Sequence, residues 1–345
     1  MPSRSLKYRE ALSEGLVQAM ERDPSIFVTG IAVDYSSGMF GSTTEALQKF
    51  GPSRVFDAPA MENALAGVAI GAAAMGKRPV IVHPRADFMF LAMDQLINLA
   101  AKWKYMFGGA AGSVPVVVRA IIGRGWGQGA THSQSLQSIF AHFPGIAVAM
   151  PASPADAKGL TTAALAADHP TIILEYRSLY ENVGDVDANY YCAPIGQARV
   201  VREGSDLTIV ATSQMVSEAM IAADALQAQN IDAEIIDPRS IRPLDEMTLL
   251  ASIRKTGRLI VADTSWELCG FASEVAALAA EKAFPALKAG VRRITLADCP
   301  APVSRPLEDA FYPKASTIAA VALAMFGGTG KFESIDQIDS FKGPY

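Results

Sequence analysis

Short runs of β-branched and aliphatic residues recur along the chain: IFVTG, RPVIVH, VPVVVRAIIG, IAVAMP and PTIILEY. Between them apolar positions return every three or four residues, the spacing of helices with one buried face. This alternation predicts α/β architecture around a mostly parallel sheet. After Leu179 the pattern lapses into YENVGDVDANYYCAPIGQARVVREGSD, whose turn formers and tyrosines predict a connector with room for one hairpin. A second series follows, with strands expected in DLTIVATS, DAEIIDPRS, GRLIVADTS and VRRITLAD and helices over 216–229, 244–255, 272–280 and 314–325. The opening segment MPSRSLKYREALSEGLVQAM predicts an amphipathic helix. The division that results is a first domain over 1–185, a linker over 186–204, a second domain over 205–326 and a tail over 327–345. The tail's composition predicts weak order, or order gained on a partner.

A length of 345 residues agrees with two cores. The net charge of -5 comes from interspersed acids and bases, so neither a nucleic acid nor a membrane surface is expected as a partner. No apolar run reaches the roughly 20 residues that span a bilayer, and the N-terminus lacks the regions of a signal peptide. Cys192, Cys269 and Cys299 lie far apart, offer no metal-ligand spacing and suit a reducing, cytoplasmic setting.

Candidate chemistry starts with Glu62, the single acid at the head of the run ENALAGVAIGAAAMG. On local grounds two readings stand. A first-turn acid interacts favourably with the positive end of a helix. The small apolar residues after it leave no polar face for water, however, and a carboxylate on a buried element needs a proton or a partner. The second stretch is VIVHPRADF, where a strand ends in a proline turn and His83, Arg85, Asp87 and Phe88 follow, at the kind of strand end where parallel sheets collect ligands. Phe90 is expected in the core. In the third stretch Gly123, Gly125, Gly127 and Gly129 form a loop that matches no phosphate fingerprint. That loop leads to THSQS, expected to start a helix, and His132 there can exchange protons near neutral pH. His142 is expected to be structural within a helix, and His169 to lie in a loop before Pro170.

Several long stretches in one order carry a resemblance: FGPSRVFDAPAMENALAGVAIGAAAMGKRPV, ADFMFLAMDQLINLAAKW, GATHSQSLQSIFAHFPG and PASPADAKGL, then EIIDPRSIRPLD, GRLIVADTSWELCGFASEVAA and LEDAFYPKASTIAAVA. Over residues 5–326 the chain resembles the β subunit of the thiamine-diphosphate-dependent 2-oxo acid dehydrogenase E1 component. The resemblance implies two doubly wound α/β domains, a pyrimidine-binding domain followed by a transketolase C-terminal-like domain. It implies that Glu62 hydrogen-bonds the cofactor's pyrimidine N1′ and so activates the thiazolium carbon. Phe88 would stack on the pyrimidine, and His132 would handle protons and orient the substrate or acyl acceptor. No GDG occurs in the sequence, so Mg²⁺ and the diphosphate are expected to be held mainly by an E1 α-like partner carrying the GDG and Asn motif. An α₂β₂ assembly with a contact between two copies of this chain, and a lipoyl-bearing acyltransferase as acceptor, complete the expectation. The chain itself is expected to bind no metal.

The sequence departs from the family where Val82 replaces an acid and Pro84 an apolar residue. His83 and Arg85 are thereby expected near the cofactor, and a guanidinium suits a carboxylate or phosphate. Arg85 either binds an anionic, sugar-derived substrate or pairs with an acid of a partner chain. The same residues also fit half of a split transketolase-like enzyme that moves a two-carbon or acyl unit to an aldehyde.

Overall fold

A computed structural model describes residues 3–35, 37–124 and 127–336. Among them the chain forms two compact units. One comprises the chain up to Ile122 together with Ile139–Ile195, and the other comprises 123–138 together with the chain from Gly196 onward.

The first unit opens with strand β1 (Ser3–Lys7) and helix α1 (Tyr8–Arg22). The expected N-terminal helix therefore starts later, because β1 pairs antiparallel with β8 (Val183–Asp187). Ser5 donates to Asp185 at 3.2 Å and Lys7 pairs with Glu181, interactions that favour extended backbone over helix in this stretch. The run continues through β2 (Ile26–Gly30), α2 (Thr44–Phe50), β3 (Val55–Asp57), α3 (Glu62–Ala74) and β4 (Arg78–His83). A 3-10 turn (Ala86–Ala92), a π-helical turn (Asp94–Ala100) and α4 (Trp103–Met106) lead to β5 (Val117–Ile122). Helix α5 (Gln137–Ala141), β6 (Ala147–Ala149), α6 (Pro154–Ala166) and β7 (Thr171–Tyr176) complete the layer. Within the unit the sheet order is β6-β7-β5-β4-β2-β3, with every pairing parallel.

Both faces of such a sheet are covered, which is why β4, β5 and β7 read as continuous apolar runs. Each face has its own layer. Arg119 and Glu175 form a fully buried ion pair, and Tyr180, which donates to Glu175, stacks on Tyr8 of α1 at 5.8 Å. Those side chains mark the α1 side. Right-handed crossovers put α6 there as well, and put α3 with the 86–100 segment on the opposite face.

The second unit contains β9 (Arg199–Arg202), β10 (Leu207–Ala211), α7 (Gln214–Gln227), β11 (Ala233–Asp237) and a short strand β12 (Ser240–Arg242). After α8 (Glu246–Thr256) come β13 (Leu259–Trp266), α9 (Phe271–Lys282), β14 (Arg292–Leu296), α10 (Arg305–Phe311) and α11 (Ala315–Ala324). Its five-stranded sheet has the order β14-β13-β10-β11-β9, parallel except for the edge strand β9. The expected hairpin in the connector is absent among the described residues, since β8 and β9 each find a distant partner instead. Residues 327–336, expected to be weakly ordered, fold back on the chain's own helix. Asp336 accepts from the backbone N–H and hydroxyl of Ser316 at 2.9 and 2.7 Å, filling donors that the start of α11 leaves open.

Candidate functional site

Helix α3 begins at Glu62, so its carboxylate sits in the first turn, where exposed backbone N–H groups favour negative charge. Burial along the helix follows a single stripe: Glu62, Leu65, Ala66, Ala69, Ile70 and Ala73. This is the i, i+3, i+4 pattern of a helix seated on a sheet. The acid belongs to that stripe and is only 8% exposed, yet no side chain of the described residues hydrogen-bonds or pairs with it. The opposite stripe is open, with Met61, Val68 and Met75 exposed by 51, 70 and 84%. The expectation of a helix without a polar face holds, but only one side of it is covered within this chain.

Strand β4 ends at His83. Its register sets Val82 beside Arg119 and His83 beside Ala120. Arg119 faces the α1 layer, so alternation along the strand turns His83 to the face covered by α3 and the 86–100 segment. A helix that returns between parallel strands runs against them, which brings its first turn to their C-terminal edge. Glu62 and His83 therefore share one edge and one face of the sheet. Gly30 ends β2 beside them, and a Cβ there would meet the Val82 carbonyl oxygen at 2.3 Å, so glycine permits the close approach of the two strand ends.

The imidazole of His83 is 1% exposed, and neither ring nitrogen has a hydrogen-bond partner among the described residues. Burial pushes its pKa down to about 4, so the ring is neutral at physiological pH. Arg85, which starts the 3-10 turn, and Asp87 are buried as well. Phe88 is 39% exposed. Phe90, expected in the core, is 41% exposed and is corrected to a surface position. It lies in the 3-10 turn over Ala86–Ala92, which leaves it on the surface. The π-helical turn that follows is of the irregular kind found often at functional sites.

His132 belongs to the second unit, with the segment 123–138. It ends a 3-10 turn over Gly129–Thr131, and the Thr131 hydroxyl lies 3.0 Å from its Nδ1. The helix expected from THSQS starts instead at Gln137. Arg124 pairs with Glu308 and Asp309 of α10, and the backbone N–H of Gly127 donates to Glu308 at 3.3 Å. Gly129 adopts φ +68, and a Cβ on it would meet Val303 at 2.7 Å. Gln137 donates to Asp263 at 2.7 Å, and Thr212 and Ser265 donate to the same carboxylate. Burial raises the pKa of Asp263, against the pull of these donors. Gly125 lies outside the described residues. His142 sits in an exposed turn after the short α5, not inside a helix, and His169 lies in an exposed loop as expected.

Sequence reasoning thus reached Glu62, His83, Arg85 and Phe88, which the structure gathers on one unit, and His132, which it assigns to the other. It missed Arg124, Gln137, Asp263 and Glu308. The signal was faint: acids and amides inside apolar runs, such as VADTS, with no spacing that links them. No cluster of three or more His, Cys, Asp or Glu residues placed to hold a metal ion occurs among the described residues, and no described helix is long and apolar enough to cross a membrane.

Residues 4–182 match the transketolase pyrimidine-binding domain family and residues 196–318 the transketolase C-terminal domain family. The chain is 41% identical to the β subunit of acetoin:2,6-dichlorophenolindophenol oxidoreductase from Cupriavidus necator, over 93% of this chain and 97% of that protein. It is 40% identical to the mitochondrial pyruvate dehydrogenase E1 component subunit β-2 of Oryza sativa subsp. japonica, over 93% of this chain and 86% of the relative. A solved structure described as a split-gene transketolase, an inactive β4 tetramer, superposes with a TM-score of 0.76 at 24% identity, covering 93% of this chain and 98% of that one.

Proposed function

Because the chain belongs to the transketolase-like family of thiamine-diphosphate-dependent E1 β subunits, we propose that it is the β half of a 2-oxo acid dehydrogenase E1 component. In this reading the enzyme decarboxylates a 2-oxo acid and passes the acyl group to a lipoyl carrier. The observation that carries it is Glu62: a largely buried carboxylate set by a helix start at a sheet edge, with no side-chain partner among the described residues. An aminopyrimidine with a protonated ring nitrogen is the kind of group such an acid accepts from, so the residues fit the pyrimidine end of the cofactor. For the diphosphate end, the sequence has no GDG motif. Its Mg²⁺ and phosphates are assigned to an E1 α-like partner with the GDG motif.

When bound, thiamine diphosphate supplies the carbon nucleophile that attacks the 2-oxo carbon and the electron sink for decarboxylation. Glu62 holds a hydrogen bond at N1′ in a setting of low dielectric, where preorganised charge is most effective. Phe88 offers a flat apolar face that fixes the ring's plane. His132 gives and takes protons at the substrate or acceptor oxygen. Arg85 binds the substrate's anionic group. The exposed stripe of Met61, Val68 and Met75 supports burial of α3 against another chain, in keeping with an α₂β₂ assembly that includes a contact between two copies of this protein. The domain extents 1–185 and 205–326 and a cytoplasmic setting belong to the same reading.

The test is turnover by the complex of this chain with its α partner. Pyruvate and related 2-oxo acids with an artificial electron acceptor are expected to be oxidised. Turnover only with a ketose donor and an aldose acceptor would overturn the dehydrogenase reading in favour of a split transketolase-like enzyme.

A further inference from the structure

His83 is one of several buried polar side chains of the first unit, Thr29 and Thr161 among them, that the proposed chemistry leaves unexplained, and the one whose ring carries two such atoms. Its two ring nitrogens are shielded from solvent and have no hydrogen-bond partner among the described residues. Burying polar atoms without partners is costly, and native interiors rarely contain such atoms unless something from outside the chain completes them. The group that completes His83 has to reach the C-terminal edge of β4 on the α3 face, which is where Glu62 begins its helix.

The chemistry of the ring restricts what that group is. A neutral imidazole presents one N–H donor and one bare nitrogen acceptor, whichever tautomer it adopts. The shift of its pKa to about 4 keeps it in this form. The N–H side is satisfied by any oxygen. The bare nitrogen is more selective, because it needs a donor. Carboxylates, phosphates, ketones and methyl groups have none, and a hydroxyl has one.

We propose that His83 is a specificity-determining residue that receives a hydroxyl group of the substrate, so that the enzyme takes a hydroxyl-bearing 2-oxo compound in preference to pyruvate. This inference rests on the E1 reading of the site and names the substrate class for it. Arg85, two residues further on, holds the anionic end of the same molecule. Position 83 lies at the end of a strand, so its ring is set by sheet register and not by a loop. A rigid residue of that kind discriminates strongly, since an analogue without the hydroxyl leaves a buried acceptor unpaired.

The experiment compares hydroxypyruvate with pyruvate in the complex with the α partner, using an artificial electron acceptor. Cofactor affinity is followed separately by quenching of intrinsic fluorescence. The wild-type complex is expected to favour hydroxypyruvate in kcat/KM by tenfold or more. His83→Phe is expected to reduce that preference by about 10-fold to 100-fold while thiamine diphosphate binds as before. His83→Asn keeps one donor and one acceptor and is expected to retain most of the preference, which covers the case where the phenylalanine variant folds poorly. A wild-type complex indifferent to the hydroxyl would overturn the inference. So would an equal loss of both activities in His83→Phe, or a loss confined to cofactor binding. Failure of the E1 reading has a different signature: Glu62→Gln would then leave turnover unchanged, whatever the substrate preference.

Discussion

Glu62 and His132 are held in place by opposite means. Glu62 is the first residue of a regular helix, and the helix's own stripe of Leu65, Ala66, Ala69, Ile70 and Ala73 seats it. No side chain of the described residues bonds to it. His132 lies in an irregular segment that leaves one unit and is fastened to the other by Arg124, Gly127 and Gln137. The acid can therefore be altered without unfastening anything, whereas the histidine depends on contacts made up to eight residues away in sequence. One position separates chemistry from structure cleanly, and the other combines them.

The largest expected effect comes from breaking the first half of this contrast. Glu62→Gln keeps the size and burial of the side chain and removes its charge. Turnover of the assembled complex is expected to fall by about 10²- to 10³-fold, the range found when a preorganised electrostatic partner is lost. Its unfolding midpoint should stay near that of the wild type, because no side-chain bond among the described residues is lost. A large drop in the midpoint together with a small drop in rate would mean that Glu62 is a helix-start acid after all.

The same contrast explains what could be read from the sequence. Strand runs such as RPVIVH and helix starts such as AMENALAG depend on neighbours in the chain, so β4, α3 and the place of Glu62 were legible from periodicity alone. The role of Glu62 was not, since a helix start welcomes an acid whether or not it does chemistry, and the family motifs were needed to choose. The N-terminal strand was misread because SRSLK is extended only through its pairing with Val183–Asp187, far along the chain. Phe90 was misread because a large aromatic ring was expected in the core, whereas the 3-10 turn over Ala86–Ala92 leaves it on the surface. The fastening of the 123–138 segment was invisible for a related reason: Gln137 and Asp263 lie far apart in sequence and meet only in the folded second unit.

Next in size is an effect of pH on the first unit. The His83 ring ordinarily titrates near 6.5, and burial moves it to about 4 in the folded chain. Between those values the unfolded chain binds the proton and the folded chain does not. Stability should thus be fully present above about pH 6.5 and decline as the pH falls toward 4, by about 3 kcal/mol in all. Chemical denaturation of wild type and His83→Phe across this range measures it: the wild type should lose that much more than the variant. Parallel curves would show that the ring titrates normally and is more open than its burial indicates.

The smallest effects sharpen the second half of the contrast, the fastening of the histidine segment. Arg124→Ala leaves Glu308, which is almost fully buried, without its cation, and also removes the pair with Asp309. A loss of about 1 to 3 kcal/mol in local stability follows from an unpaired buried charge near the surface, and turnover should fall by roughly tenfold through misplacement of His132. Gln137→Leu is milder, because Asp263 keeps its bonds from Thr212 and Ser265. About 1 kcal/mol and a two- to fivefold fall in turnover are expected for one lost hydrogen bond. Hydrogen exchange separates these from general destabilisation. Amides of 127–135 should exchange faster in both variants, more so in Arg124→Ala, while those of α3 keep the wild-type rate. Equal acceleration in α3 would mean that these residues support the fold at large and that the histidine is not selectively fastened by them.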